Sequence, residues 1–332
     1  DGAVVVNLSS QAAEDSDQAR QNLLYQLRWS LRAYATRSVE LQIEGQSKGT
    51  DNTANYLAAN VAADPTRSPE LFAVARGKVT VQTPPTLTVP VLNAKANAFV
   101  RYAAVSTDHN LAAFVQDRGG SRTLTVVAVK ADGSLAERLI KGRLEGKEIG
   151  RPVWIPRSGG RLLVPASGRL YLVNASGAAP IDISPRNIGS VTSVSVAPDG
   201  RRVALVADGR AYVAALPITG GSIDVADQLR EVLPNQLTAA AVAWTSEVKI
   251  LVAGRLSEGN AALFRVSVDG AIASNDSPSG QPPLTDVVAY ADSPVKSGSE
   301  GDIVIETETN VLKLYRTIEV QEGVVSMFYA NG

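Results

Sequence analysis

The chain has 332 residues, of which 45% are apolar and 20% are charged, and its formal net charge is −1. This size allows one large all-β unit or two ordinary domains, and the near-neutral charge gives no reason to expect nucleic acid as a partner. Because the chain has no cysteine and only one histidine, His109, disulfides and cysteine-built zinc sites are excluded, and a multi-histidine metal site is disfavoured. We therefore predict no catalytic residue, no cofactor and no metal.

The first 45 residues predict a strand–helix–strand unit. Residues 3–8 are a short apolar run, typical of a strand covered on both faces, and residues 38–45 alternate like a half-buried strand. Asp15, Ser16 and Asp17 provide the chemistry of a helix start between them. Since two strands and one helix are too little to be stable alone, we interpret the unit as part of a larger α/β domain and the chain as a fragment.

The predicted helix has two distinct faces. Its apolar stripe, expected to face the sheet, consists of Leu23, Leu24, Leu27, Leu31 and Tyr34. Tyr25 and Trp29, four residues apart, lie on the other side. They are either partly exposed aromatics or a second contact surface, and we take them as the candidate interdomain or partner contact.

Residues 46–70 are rich in Gly, Asn, Asp, Thr and Pro and are interpreted as a linker. From residue 71 a template of three short apolar strands recurs. Its copies are residues 101–133, 151–177, 193–216, 241–270 and 287–316. Successive third strands are about 42 to 52 residues apart, the period of four-stranded propeller blades, with a variable fourth strand such as residues 134–140 or 229–234.

These repeats predict an all-β propeller over residues 71–332, preceded by the small α/β unit. Six blades are favoured, with five or seven as alternatives, and the sixth would combine residues 71–83 with residues 317–332 from the two chain ends. The Asp199-Gly200, Asp208-Gly209 and Asp269-Gly270 pairs are hairpin formers without chemical function.

No catalytic motif stands out in the propeller region. His109 lies in a turn between two strands and is interpreted as a solvated turn residue. Acids from different blades can form a glycosidase pair, and the available loop acids are Asp117, Glu258, Glu306 and Glu308. The basic stretch 138–161 is interpreted as ordinary charged loop surface rather than an anion site.

Several stretches resemble the LpqB-type lipoproteins of actinobacteria. The stretch beginning AVVVNLSS is similar to the C-terminal half of a GerMN (sporulation/germination-type) domain, and SPELFAVARGKVTVQ is similar to the start of that family's propeller. SVSVAPDGRRVALV and LFRVSVDG match its blade signatures. The order of the two domains is the specific part of the resemblance, which covers essentially the whole chain.

The resemblance implies a palmitate-bearing lipoprotein on the outer face of the cytoplasmic membrane, held only by an anchor upstream of Asp1. It further implies binding to the extracytoplasmic domain of an MtrB-type sensor histidine kinase, which modulates an MtrA/MtrB-type two-component system of the cell envelope. The family offers no catalytic residues. The alternative is a carbohydrate- or peptidoglycan-binding, or glycoside-hydrolysing, propeller, for which three tryptophans are a poor supply of stacking rings.

Overall fold

The structure, a computed structural model, describes residues 3–12, 16–31, 37–52, 55, 70–141, 144, 148–181, 183, 188–216, 218–219, 222–223, 229–233, 235–277, 282–289, 295–298, 304–307, 315–318 and 323–331. The chain divides into two compact units, Asp1–Thr66 and Arg67–Gly332. Tyr34, Glu308, Asp15 and most of the predicted linker lie outside the described residues. In the described part of the chain, no helix is long and apolar enough to cross a membrane.

The first unit is a three-stranded sheet with one helix. Its elements are β1 (Ala3–Leu8), a 3-10 helix (Ser10–Ala12), α1 (Asp17–Ser30), β2 (Ser38–Ile43) and β3 (Gln46–Asn52). Strand β2 is central, parallel to β1 and antiparallel to β3. Ser16 caps α1, because its hydroxyl accepts a hydrogen bond of 3.1 Å from the Ala19 amide. The predicted strand–helix–strand order is confirmed.

The apolar stripe of α1 covers the sheet. Leu24, Leu41 and Ile43 are its buried core, with Leu23 and Leu27 packed alongside. Strand β3 passes so close to the helix that a Cβ on Gly49 would lie 3.1 Å from the Leu24 Cδ1 atom. The helix also buries Arg28 against the sheet. Arg28 is 6% exposed, and Asp51 of β3 is 1% exposed. Burial raises the pKa of the Asp51 carboxyl, and the charge of Arg28 acts against that rise.

Two expectations for this unit are wrong. Strand β1 is not covered on both faces: its residues alternate between exposed and half-buried, and Val5 is 56% exposed, because no layer covers the outer face of β1 within the described residues. The linker does not begin at residue 46, since β3 occupies Gln46–Asn52. This polar edge strand pairs through its backbone and buries little beyond Asp51, so it has no apolar alternation to detect.

The second unit is built from short antiparallel strands. In chain order they begin with β4 (Leu71–Ala75), β5 (Lys78–Thr83), β6 (Val100–Val105), β7 (Leu111–Arg118), β8 (Ser121–Val129), β9 (Leu135–Ile140), β10 (Val153–Trp154), β11 (Leu162–Ala166), β12 (Arg169–Asn174) and β13 (Gly177–Pro180). They continue with β14 (Val191–Val196), β15 (Arg202–Ala207), β16 (Arg210–Ala215), β17 (Ile218–Thr219), β18 (Ser222–Ile223), β19 (Arg230–Val232), β20 (Thr238–Ser246), β21 (Lys249–Arg255), β22 (Ala261–Ser267) and β23 (Ala273–Asn275). The last are β24 (Asp286–Val288), β25 (Val295–Gly298), β26 (Val304–Thr307), β27 (Tyr315–Ile318) and β28 (Val324–Tyr329). A 3-10 helix, Pro90–Asn93, precedes β6.

These strands form six blades in the described part of the chain, besides the small β17–β18 hairpin. They are blade 1 (β6–β9), blade 2 (β10–β13), blade 3 (β14–β16 and β19), blade 4 (β20–β23), blade 5 (β24–β27) and blade 6 (β28, β4 and β5). The first strand of each blade contacts the first strand of the next, and β28 contacts β6, which closes the ring. The predicted all-β propeller is confirmed.

A separate apolar cluster fills each junction between neighbouring blades that the structure describes. Strand β15 shows how one strand serves two clusters. Val203 and Leu205 pack toward blade 2, whereas Ala204 and Val206, which point the other way, pack toward blade 4. The continuous apolar runs of the blade strands are therefore explained by burial on both faces.

Blade 6 joins the two ends of the unit. Strand β28 pairs antiparallel with β4, from Val324 opposite Ala75 to Tyr329 opposite Leu71. Phe72 and Phe328 stack with ring centroids 5.3 Å apart, and both rings belong to the cluster shared with blade 1. The pairing of β28 with β4 closes the propeller without a covalent bond.

We expect Phe328→Ala to lower the free energy of unfolding by about 3–5 kcal/mol, because it leaves a cavity at the closure of the ring. Urea denaturation followed by tryptophan fluorescence measures the change. Val325→Ala, on the same strand but 47% exposed in the parent protein, is the control and should change it by no more than about 0.5 kcal/mol. Equal effects of the two substitutions would contradict this account of the closure.

Candidate functional site

Arg151 and Asp286 form an ion pair across the ring. Arg151 precedes β10 of blade 2, and Asp286 begins β24 of blade 5. The two residues therefore come from blades on opposite sides of the six-bladed propeller. Both guanidinium Nη atoms donate to the carboxylate, one of them at 2.9 Å to Oδ1, and Nη2 also donates to the Ser326 hydroxyl of blade 6 at 2.9 Å. We call Arg151 and Asp286 the transaxial pair.

The transaxial pair ties together segments that are far apart in sequence. Its two charged side chains are 20% and 36% exposed, so solvent screens the pair only in part. The bidentate arrangement fixes the orientation of the guanidinium, and the Ser326 contact brings in the closing strand β28. Charge that would otherwise face the ring centre is thereby neutralised within the protein.

A polar cleft lies where blades 3 and 4 meet. It has a volume of about 330 Å³ and is formed by the β15–β16 turn, the β19–β20 connection and the β21–β22 turn. Its polar lining includes Asp208, Arg210, Glu231, Asn235, Gln236 and Ser257. Arg210 reaches Glu231 at 3.5 Å. The cleft offers carboxylates and amides as hydrogen-bonding groups but no aromatic ring among its lining residues.

His109 lies in the β6–β7 turn as the sequence indicates, but it is not a solvated residue. Its side chain is 17% exposed, its Nε2 atom lies 3.4 Å from Glu70 Oε2, and its ring stands edge-on to Phe72. The turn lies against the start of β4, where Glu70 and Phe72 contact the His109 side chain. The sequence could not show this, because Glu70 belongs to a different blade.

Two of the loop acids considered as a catalytic pair, Asp117 and Glu258, are not brought together, and Glu308 lies outside the described residues. Asp117 lies in blade 1, paired with Arg122 at 3.2 Å, whereas Glu258 lies in the β21–β22 turn of blade 4, across the ring. Glu306 belongs to β26 of blade 5. Among the described residues, no group of three or more metal-ligating side chains could hold a metal ion.

Tyr25 and Trp29 lie on α1 of the first unit, and both are half-buried. Their helix neighbours Leu24 and Arg28 point at the sheet and are more deeply buried. The placement of both aromatics on the helix agrees with the sequence pattern. Their role as an interdomain or partner contact stays a prediction.

These features define the class of protein: a six-bladed β-propeller, in the part of the chain described, preceded in sequence by a strand–helix–strand sheet domain. The propeller match to the lipoprotein LpqB beta-propeller domain extends over residues 77–311, and residues 1–49 match a sporulation and spore germination domain. The chain therefore belongs to the lipoprotein LpqB β-propeller family.

Curated relatives agree with this family, and a solved structure shares the fold. Lipoprotein LpqB of Streptomyces avermitilis is 30% identical over 222 residues, which cover 62% of this chain and 36% of the relative. Lipoprotein LpqB of Streptomyces coelicolor is 28% identical over 223 residues, which cover 62% of this chain and 35% of the relative. The match thus spans about a third of either relative. A chain in the crystal structure of a nidogen/laminin complex has a TM-score of 0.55 at 9% identity, covering 79% of this chain and 98% of that one, a likeness in fold alone.

A double-mutant cycle tests the transaxial pair. We expect Arg151→Met and Asp286→Asn each to reduce the free energy of unfolding, and the pair to show a coupling energy of about 1 kcal/mol, reduced by its partial exposure. Urea denaturation of the parent protein, both single variants and the double variant gives this energy. Additive effects would show that the two side chains do not interact in solution.

Acid titration tests the Asp117–Arg122 contact. Hydrogen bonds from the Arg122 guanidinium and the Gly120 amide hold the pKa of the Asp117 carboxyl below its ordinary value. Its stabilising effect is therefore present above about pH 4, the ordinary aspartate pKa, and is lost as the pH falls through the lower pKa of the folded state. We expect Asp117→Asn to flatten the fall in stability between about pH 5 and pH 2. Glu258→Gln, at an exposed turn, controls for the loss of a charge, and an unchanged acid slope in the Asp117 variant would refute the contact.

Proposed function

We propose that this chain is the non-enzymatic interaction module of a lipid-anchored protein on the outer face of the cytoplasmic membrane. In this proposal it binds the extracytoplasmic sensor domain of an MtrB-type histidine kinase and so modulates an MtrA/MtrB-type two-component system. The observation that carries the proposal is the match of residues 77–311 to the LpqB propeller family, whose curated relatives are named lipoproteins. The lipid anchor, a palmitate-bearing cysteine, would belong to sequence upstream of Asp1.

The geometry of the propeller supports a role in binding. The six blades bury their apolar faces against one another, so the residues available to other molecules are those of the turns and connections at the two ends of the strands and of the exposed outer strands such as β9. The transaxial pair neutralises the opposite charges of Arg151 and Asp286 within the propeller. Side chains on the outer turns are therefore the natural means of recognition.

The first unit offers a second candidate contact. Tyr25 and Trp29 present half-buried rings, and large aromatics with one accessible side are common anchors of protein interfaces. We propose that these two residues contribute either to the kinase interface or to contact with another part of the chain.

The polar cleft of blades 3 and 4 favours one other candidate function. Its carboxylates and amides, Asp208, Glu231, Asn235 and Gln236, are groups that hydrogen-bond to sugar hydroxyls. A carbohydrate- or peptidoglycan-binding propeller is therefore the alternative. Binding of soluble peptidoglycan fragments that is lost in Glu231→Gln, without any binding to the kinase, would favour it.

We expect the chain to retain the purified extracytoplasmic domain of the MtrB-type kinase of its own organism in a pull-down and in biolayer interferometry. Tyr25→Ala combined with Trp29→Ala should weaken binding about tenfold if these residues form the interface, and should leave it unchanged if they contact the chain itself. Val5→Ala, an exposed position in the same unit, is the matched control. Failure of the parent chain to bind would overturn the proposed function.

A further inference from the structure

Phe99 is an exposed aromatic residue held in an unusual backbone conformation. It is 60% exposed, and its φ of +57° lies in the left-handed region, which a bulky side chain rarely adopts. The residue is fixed from both sides, because the next amide, Val100 N, donates to Gly77 O at 2.9 Å and Phe99 O accepts from Asp117 N at 2.8 Å. A left-handed conformation at an exposed aromatic residue is a reason to look for a function, which its surroundings then have to support.

One arginine side chain, that of Arg118, lies over the ring of Phe99. The Arg118 guanidinium lies 4.9 Å from the ring centroid, in a cation–π arrangement, and is itself exposed. The turn containing Arg76 and Gly77 lies against the Phe99 backbone, since a Cβ on Gly77 would be 3.3 Å from Phe99 Cα. An aromatic ring is thus presented together with fixed positive charge.

We define the Phe99 patch as the three neighbouring segments 76–78, 99–101 and 117–122. Its charged side chains are Arg76, Lys78, Arg101, Arg118 and Arg122, with Asp117 as the one acid in these segments. Arg122 pairs with that acid at 3.2 Å. Since the whole chain has a net charge of −1, this excess of positive charge is local to one junction of blades 6 and 1.

We propose that the Phe99 patch docks an acidic segment of a partner protein, with the carboxylates of that segment pairing with Arg118 and Arg76 and an apolar side chain packing on Phe99. This inference rests on the proposed function, in which the partner is the kinase sensor domain. Charge complementarity identifies the partner as acidic. Arginine and a single aromatic ring on short, hydrogen-bonded turns are typical of protein interface hot spots, whereas flexible lysines with several apolar side chains are typical of membrane-surface binding.

Two variants separate binding from folding. Phe99→Gly removes the ring and suits a positive φ, so we expect its unfolding midpoint to stay at or above that of the parent chain. Arg118→Gln removes one exposed charge and the cation–π contact. Matched controls lie at the opposite ends of the strands: Ile272→Ala at a position 71% exposed, and Arg201→Gln in the exposed β14–β15 turn.

Biolayer interferometry with the kinase domain is the first measurement. We expect each patch variant to bind at least about tenfold more weakly, with little change in either control, and we expect binding to weaken as NaCl is raised. If the parent chain binds the kinase domain and both patch variants bind equally well, the docking proposal is wrong while the proposed function stands.

A second probe decides the case in which the parent chain does not bind the kinase domain and the proposed function fails. It is a synthetic peptide of repeated Glu-Glu-Leu units, compared with its Lys-Lys-Leu counterpart. Binding of the acidic peptide alone, lost in both patch variants, supports docking of an acidic segment. Failure to bind it, or binding that ignores both substitutions, overturns the docking proposal. Binding of phosphatidylglycerol vesicles that needs Phe99 and Arg118, without peptide binding, also overturns it by identifying a lipid occupant.

Discussion

The propeller depends on the mutual covering of neighbouring blades. A strand such as β15 is apolar on both faces, with Leu205 packed toward blade 2 and Val206 toward blade 4, so no blade can be stable in water without a neighbour on each side. The chain leads from each blade to the next, but blade 6 itself exists only if β28, from the end of the propeller sequence, pairs with β4, from its start. The stacked side chains of Phe72 and Phe328 join these two strands, so they contribute directly to closure of the propeller.

Much of this fold could be predicted from the sequence, because its signals are local. Repeated apolar strands separated by turn residues specify a blade, and the Ser16 cap with the Leu24 stripe specifies the helix. The polar strand β3 escaped prediction, since an edge strand paired through its backbone needs no apolar side chains. The site was mostly unpredictable for a different reason. Arg151 and Asp286 are 135 residues apart, and only the ring geometry brings them into contact.

The Phe99 patch could not be predicted from the sequence for the same reason. Its segments come from the two blades that meet at the closure, and each contributes only one to three charged residues. Nothing in the local sequence marks Phe99 as exposed or left-handed, since it follows a stretch in which alanine alternates with polar residues (93–98) and precedes a blade strand. Recognition surfaces of propellers are assembled from turns of different blades, so they emerge only when the ring is formed.

The transaxial pair has a mechanical consequence. A propeller of six rigid blades could become elliptical through small rotations at each junction, without any change inside a blade. A contact between opposite blades, such as that of Arg151 with Asp286, resists the elongation of the propeller along the diameter that joins them. Motions that separate blades 2 and 5 should therefore be opposed by this contact, which couples the two blades directly across the centre of the propeller.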